Sequence, residues 1–140
     1  MKNELAIKYR LMVGGRKARV LIIDDDVEFQ ELLRIHLSLS GFEPEVAVDA
    51  VEAGKALLAR PPDLVLCDIN MPFMSGFDLL SQMRANQGTA SIPVILLSGN
   101  SDEETVAKAV SLGAADYLTK PVMLEDLLKS IHTCLVPKAT

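Results

Sequence analysis

The sequence has little cysteine, and its two residues, Cys67 and Cys134, lie far apart without the spacing of metal ligands. A disulfide framework and a structural zinc site therefore play no part in the expected fold, and both thiols read as core packing in a reduced, cytoplasmic protein. Long hydrophobic runs are also missing. The longest charge-free stretch, Ala85 to Ser101, contains Asn86, Gln87, Gly88, Pro93 and Asn100 and cannot span a bilayer. Near the start, Lys2, Glu4, Lys8 and Arg10 interrupt any apolar region of the roughly 7 to 15 residues that a secretory signal needs. Positive charge is in deficit: 14 Lys and Arg against 19 Asp and Glu give a formal net charge of -5, which argues against direct nucleic-acid binding and against an anionic membrane surface. There is no internal repeat or low-complexity tract. No Gly-x-x-x-x-Gly-Lys-Ser/Thr run is present, so a P-loop nucleotidase is set aside.

What is there suits one globular domain. The chain has 140 residues, 49% of them hydrophobic and 24% charged, and a chain of this size buries roughly 70% of the surface its unfolded form exposes. The charge is uneven. Residues 1–19 carry six bases and one acid, a net +5, while residues 20–140 carry eight bases and eighteen acids, a net -10. With Gly14-Gly15 as a hinge, residues 1–17 read as a basic, flexible arm, residues 18–136 as the folded domain and residues 137–140 as a C-terminal tail. Within the arm, Leu5, Ile7, Tyr9 and Leu11 alternate with Lys8 and Arg10 as in a strand, and a short helix is equally open.

From Ala18 onward, short apolar runs alternate with amphipathic segments. Val20-Leu21-Ile22-Ile23, Leu64-Val65-Leu66-Cys67 and Val94-Ile95-Leu96-Leu97 are apolar throughout, the signature of strands covered on both faces in a parallel sheet. Glu45 to Val48 and Asp116 to Leu118 are weaker strands. Helices are expected near 27–39, 50–60, 77–86, 102–112 and 124–135. Asp49 with Glu52 and Ser101 with Glu104 have capping-box spacing, and Ser75 with Asp78 fits it more loosely. Gly41, Pro61-Pro62 and Gly113 mark helix stops. Strict strand-helix alternation implies right-handed crossovers and an α/β fold with a five-stranded parallel sheet and helices on both faces.

Ligands of such sheets bind at the carboxyl ends of the strands, and unusual residues stand there: Asp24-Asp25-Asp26, Asp68, Ser98 and Thr119-Lys120-Pro121. Converging carboxylates repel one another unless a cation joins them, and oxygen-only ligands favour a hard ion, Mg²⁺ first. Lys120 and Ser98 suit the oxygens of a phosphoryl group, and a carboxylate can itself accept that group as an aspartyl phosphate. Asp26 reads as a helix N-cap or first-turn acid rather than a ligand. His36 and His132 fall on predicted helices away from the strand ends, with surface or packing roles, while Met71 and Met74 shape the loop after Asp68.

Four segments, Val20 to Asp26, Leu66 to Gly76, Ile95 to Gly99 and Asp116 to Pro121, together resemble the CheY-like receiver domain of two-component response regulators over residues 18–136. The resemblance implies a flavodoxin-like (βα)5 fold with strand order 2-1-3-4-5. It implies a phosphorylation-dependent signalling switch, not an enzyme in the ordinary sense, with Asp68 as phosphoacceptor from a phosphohistidine of a histidine kinase or histidine phosphotransfer protein. Asp25, Asp68 and the backbone carbonyl of Asn70 would ligate Mg²⁺, with Asp24 acting through water. Ser98 and Lys120 would contact the phosphoryl oxygens, Lys120-Pro121 would be a cis peptide, and Asn70 and Asn100 would influence the phosphoryl lifetime. Ser98 and Tyr117 would form the switch, with output through the fourth helix, fifth strand and fifth helix to a downstream protein target or a self-dimer. The chain ends soon after its fifth helix, as in a stand-alone regulator or a receiver cut from a longer one. A haloacid-dehalogenase-type phosphatase, with Asp24 as nucleophile and Asp26 as acid, is the competing reading, and a receiver-like scaffold that works without phosphorylation is a third.

Overall fold

The computed structural model describes residues 12–136. Three fully buried apolar runs, 20–23, 64–67 and 94–97, set the architecture; they make up most of β3 (Arg19–Ile23), β5 (Leu64–Asp68) and β6 (Val94–Ser98). With β4 (Glu43–Ala47) and β7 (Asp116–Thr119) they form a parallel sheet in the order β4-β3-β5-β6-β7, which is 2-1-3-4-5 when these five strands are counted along the chain. The connecting helices are α1 (Val27–Leu39), α2 (Ala50–Ala59), α3 (Gly76–Ala85), α4 (Glu103–Ser111) and α5 (Leu124–Leu135).

Side chains alternate across a strand, and here the alternation builds two cores. Leu21, Ile23, Val65, Cys67, Val94 and Leu96 face Ala53 and Leu57 of α2, Leu79, Leu80 and Met83 of α3, and Ala109 of α4. Val20, Ile22, Leu64, Leu66, Ile95 and Leu97 face Leu33 and Leu37 of α1 and Leu127, Leu128 and Ile131 of α5. The expected α/β class, strand order and two-sided covering are therefore present. Cys67 packs in the first core, where burial pushes its thiol pKa up, and Cys134 packs against the second. Among the described residues no helix is long and apolar enough to cross a membrane.

Four local expectations need correction. Gly14 and Gly15, read as a hinge, take φ of 57° and 78° and turn a hairpin between β1 (Met12–Val13) and β2 (Arg16–Lys17); positive φ at both central residues is what such two-residue turns require. The hairpin is pinned to the amino end of the sheet, since Arg16 Nη1 and Nη2 donate to Asp63 Oδ2 and Oδ1 at 2.8 and 3.0 Å and Val13 packs on the second core. The arm predicted over 1–17 is thus structured from residue 12, and its earlier part, like the tail at 137–140, lies outside the described residues. The second strand of the parallel sheet begins two residues earlier than expected and contains Pro44. Glu43 N-H donates to Ala18 O at 2.9 Å, so the next nitrogen points outward from the edge strand, where a missing donor does no harm.

The other two corrections concern caps. Helix α4 is capped by Asp102 rather than Ser101: Asp102 Oδ1 accepts from Thr105 N-H at 2.7 Å. Ser75 and Asp78, expected only as a loose match, form a complete capping box. At α2, Asp49 accepts from Glu52 N-H at 2.9 Å as expected, while Glu52 Oε2 reaches back to Val48 N-H at 3.1 Å, one residue before the cap.

Two glycines make opposite demands. A Cβ on Gly76 would sit 2.5 Å from Asp68 O and 2.9 Å from Ile69 Cα, both backbone atoms, whereas a Cβ on Gly54, mid-helix in α2, meets nothing within 4 Å. Gly76→Ala is expected to destabilise by about 1–3 kcal/mol through overpacking. Gly54→Ala should stabilise by roughly 0.5–1 kcal/mol, the usual advantage of Ala over Gly inside a helix. Urea unfolding of the two variants tests both signs.

Candidate functional site

The strand order reverses between β3 and β5, and the carboxyl ends of these two neighbours present the acids. Asp24 follows β3 directly. Its N-H donates to Ala47 O at 3.1 Å and so extends the β3-β4 ladder by one residue. Its side chain is fully buried, accepting from Asp26 N-H at 2.9 Å on Oδ1 and from Lys120 Nζ at 3.0 Å on Oδ2. Asp25, next in the chain, is exposed. Asp68 ends β5 and is 6% exposed, with Oδ1 3.6 Å from Lys120 Nζ.

Lys120 reaches the acids from the far side of the sheet. Its N-H donates to Ser98 O at 2.7 Å, holding the residue after β7 to the end of β6, and its peptide bond to Pro121 is cis, as expected. The ammonium also lies 4.3 Å from the centroid of the Phe29 ring, a cation-π contact from the first turn of α1. Burial lowers the Lys120 pKa, but the Asp24 hydrogen bond and the charges of Asp24 and Asp68 outweigh it, so the net shift is upward. Burial moves the Asp68 carboxyl above its ordinary range, and Asp24 adds to this; Lys120, against it, and a hydrogen bond from the Asn70 backbone only partly restore the charged form.

One carboxylate oxygen from each of Asp24, Asp25 and Asp68 lies within 4.8 Å of the others. Three hard oxygen donors this close, two of them buried, fit a small divalent cation such as Mg²⁺. Such an ion would offset the Asp24 repulsion that adds to burial in raising the Asp68 pKa. The structure thus brings together Asp24, Asp25, Asp68 and Lys120. Asp26 stands apart as the N-cap of α1, accepting from Phe29 N-H at 3.2 Å. That role removes the acid that the phosphatase reading needs.

Ser98, at the end of β6, is 1% exposed, and its Oγ accepts from Asn100 N-H at 3.0 Å. Tyr117, half-buried on β7, points its hydroxyl at the Asn100 carbonyl and donates a hydrogen bond there. Asn100 Oδ1 in turn accepts from Asp102 N-H at 2.9 Å, and Asp102 caps α4. Tyr117 is therefore tied to the loop after β6 rather than to the acids. His36 and His132 lie on α1 and α5, away from the strand ends, and Met71 and Met74 pack against the first core.

Three residues of the site are missing from the sequence-based expectations. Phe29 lies over Lys120, Gly76 allows the backbone of α3 to close on Asp68, and Gln30, 5% exposed, donates from Nε2 to Asp24 O and Ala47 O at 3.2 and 2.9 Å. One of them left a trace in the sequence. Gln30 occupies the same helical stripe as Leu33 and Leu37, all three buried, and a polar residue on an apolar stripe asks for a partner.

Comparison with known proteins places the fold in a family. Residues 20–132 match the family model of the response regulator receiver domain. The chain is 36% identical over 122 residues to the transcriptional regulatory protein PrrA of Mycobacterium tuberculosis, covering 87% of this chain and 52% of that protein. It is 33% identical over 117 residues to the DNA-binding dual master transcriptional regulator RpaA of a Synechocystis species, covering 84% and 48%. The chain thus spans about half the length of these curated relatives. Among solved structures, the chemotaxis protein CheY4 of Vibrio cholerae aligns with a TM-score of 0.79 at 32% identity, over 85% of this chain and 99% of that one. The receiver domain of the Francisella response regulator 1452 aligns with a TM-score of 0.79 at 28% identity, over 85% and 97%. With its sheet order, its strand-end acids and a family match through nearly all the described residues, the chain belongs to the response regulator receiver domains of two-component signalling.

Proposed function

We propose that this receiver accepts a phosphoryl group on Asp68 from a phosphohistidine of a histidine kinase or histidine phosphotransfer protein, and that the modification drives a signalling switch. The observation that carries the proposal is the convergence of Lys120 Nζ on Asp24 and Asp68, 3.0 and 3.6 Å away, beside a cluster of three carboxylates. In the transfer an Asp68 carboxylate oxygen forms the new P-O bond as the P-N bond of the phosphohistidine breaks. The imidazole nitrogen keeps the bonding pair and takes a proton from solvent. The chain's part is positioning and charge neutralisation, which is most of what phosphoryl transfer requires.

Lys120 is placed to follow the charge, leaving its contact with Asp68 Oδ1 for an oxygen of the incoming group. Asp25 and Asp68 through their carboxylates, Asn70 through its backbone carbonyl and Asp24 through water would hold Mg²⁺. Bound there, it would supply positive charge to both acids and phosphoryl oxygens. Ser98 would turn its hydroxyl from Asn100 N-H to a phosphoryl oxygen, and Tyr117 would follow as the loop after β6 moves. Output would leave through the face made by α4, β7 and α5, to a downstream protein or a second copy of the chain.

Mass spectrometry after incubation with a small phosphodonor and Mg²⁺ tests the assignment. The native protein should gain one phosphoryl mass and Asp68→Asn none, while Lys120→Ala should react on the order of 100-fold more slowly. A phosphoryl mass on Asp68→Asn would overturn it.

Burial of Asp68, with the Asp24 charge beside it, predicts a stability effect of unusual sign. The folded-state pKa of Asp68 is raised, so its ionisation disfavours the fold: the cost is absent below the unfolded-state pKa and complete once pH has risen through the folded-state value. In metal-free buffer at neutral pH, Asp68→Asn should melt about 2–4 °C above the native protein, the shift that about 1 kcal/mol produces. The difference should vanish as the pH falls and Asp68 becomes protonated. Thermal melts across that range check the sign.

A further inference from the structure

The carboxylates of the site are not held alike. Asp24 is fixed at both oxygens, by Asp26 N-H and by Lys120 Nζ, and Asp68 is held by Lys120 and the Asn70 backbone. The exposed Asp25 carboxylate accepts no hydrogen bond from another residue among the described residues. Its placement therefore depends on the backbone that carries it.

That backbone leaves the sheet at Asp24, where ladder bonding ends. The last rung is Asp24 N-H to Ala47 O at 3.1 Å. Beyond it the Asp24 carbonyl, which belongs to the same peptide plane as the Asp25 nitrogen, has no strand partner. Gln30 takes over at this point. Its side-chain nitrogen donates to Asp24 O at 3.2 Å and to Ala47 O at 2.9 Å, bridging the ends of β3 and β4 from beneath the site. Gln30 is 5% exposed and lies one turn after the Asp26 cap, so the fold of α1 dictates where its amide sits. A long polar side chain loses rotamer freedom and hydration when buried this deeply, which is unfavourable unless its donors are used. Here both amide hydrogens have a carbonyl to meet.

We propose that Gln30 is a positioning residue for the metal site: by holding the Asp24-Asp25 peptide plane, its carboxamide aims the Asp25 carboxylate, which accepts no hydrogen bond of its own among the described residues, toward Asp24 and Asp68. This rests on the assignment of Asp25 as a Mg²⁺ ligand. Gln30 touches neither the ion nor the phosphoryl group. Its influence acts through one peptide unit, as a partner outside the ligand set orients a metal ligand.

Calorimetric titration of the whole protein with Mg²⁺, without any phosphodonor, tests the proposal. Gln30→Met keeps the length and apolar contact of the side chain but removes both donors, and it should weaken Mg²⁺ binding by about 10-fold. Gln30→Glu would place a carboxylate against two carbonyl oxygens and should weaken it further. Leu33→Ala, on the same buried stripe of α1, controls for loss of helix packing. It should lower the melting temperature at least as much as Gln30→Met while leaving Mg²⁺ affinity within twofold of native. Titrations are made at a temperature where circular dichroism shows every variant folded. Gln30→Met binding Mg²⁺ as tightly as the native protein would overturn the positioning role, and so would an equal loss in Leu33→Ala. If the native protein bound no Mg²⁺, or Asp25→Asn bound it as well as native, the metal assignment itself would fail and the positioning role with it.

Discussion

The structure depends on keeping two carboxylates, Asp24 and Asp68, out of water within reach of one ammonium. Taking an ion from water into the interior is expensive, and a single partner rarely offsets it in full. The fold supplies every neutral donor it can at this spot, Asp26 N-H to Asp24 and Asn70 N-H to Asp68, and brings Lys120 from the opposite half of the sheet. Three acids then face one cation, and the Asp68 pKa is raised by burial first and by the neighbouring Asp24 charge second. A site left short of positive charge is one that a divalent ion or a bound electrophile can relieve. The same imbalance that costs stability thus leaves the proposed acceptor ready to react.

The parallel sheet makes the arrangement possible. Aliphatic strands buried on both faces allow β3 and β5 to lie side by side with the acids of the site displaced to their carboxyl ends. These ends are then closed from several directions. Gly76 lets α3 approach the Asp68 carbonyl without the clash that any side chain would bring, and its N-H bonds Ile69 O at 2.8 Å. Phe29 and Gln30, adjacent in α1, serve different atoms: the ring lies against the Lys120 ammonium, and the amide holds the Asp24 carbonyl. Helix α1 thus meets the site at its cation and at its backbone, although the helix cap itself uses Asp26.

The fold was legible wherever one physical requirement acted alone. Uninterrupted aliphatic runs could only be doubly covered strands, and the limits of α1 and α5 agree with the spacing of their apolar residues. Legibility fell where the meaning of a residue depended on its neighbours in space. Gly14-Gly15 suits a hinge or a tight turn equally, and only the antiparallel pairing on either side, anchored by Arg16 and Asp63, makes it a turn. Pro44 reads as a break in a strand unless that strand is known to lie at the edge. At the site, the acids, the serine and the lysine stood out because polar groups directly after apolar strands are conspicuous. Their supports did not: Phe29 reads as one more aromatic, and Gly76 matters only because the Asp68 carbonyl lies where its Cβ would be.

A contiguous set of hydrogen bonds joins the buried edge to the outer surface, and it suits the proposed switch. Ser98 Oγ holds Asn100 N-H, the Asn100 carbonyl holds the Tyr117 hydroxyl, and the Asn100 side chain holds the N-H of the residue that caps α4. Asn100 is therefore a junction at which the serine, the tyrosine and the helix cap meet within one residue. Were Ser98 to offer its hydroxyl to a phosphoryl oxygen on Asp68, the bond to Asn100 N-H would be the first to yield. The Asn100 carbonyl and side chain, moving with it, would then carry the change to β7 and α4 together. Spatial continuity alone does not establish coupling, which needs an element with two arrangements. The Asn100 loop is exposed and held by side-chain bonds rather than by ladder pairing, and each of those bonds can be remade with water or with the incoming group. The end of β6 below it cannot yield in the same way, because β6 is held by parallel pairing on both sides. A charge added at Asp68 would therefore be accommodated through this loop rather than through the core.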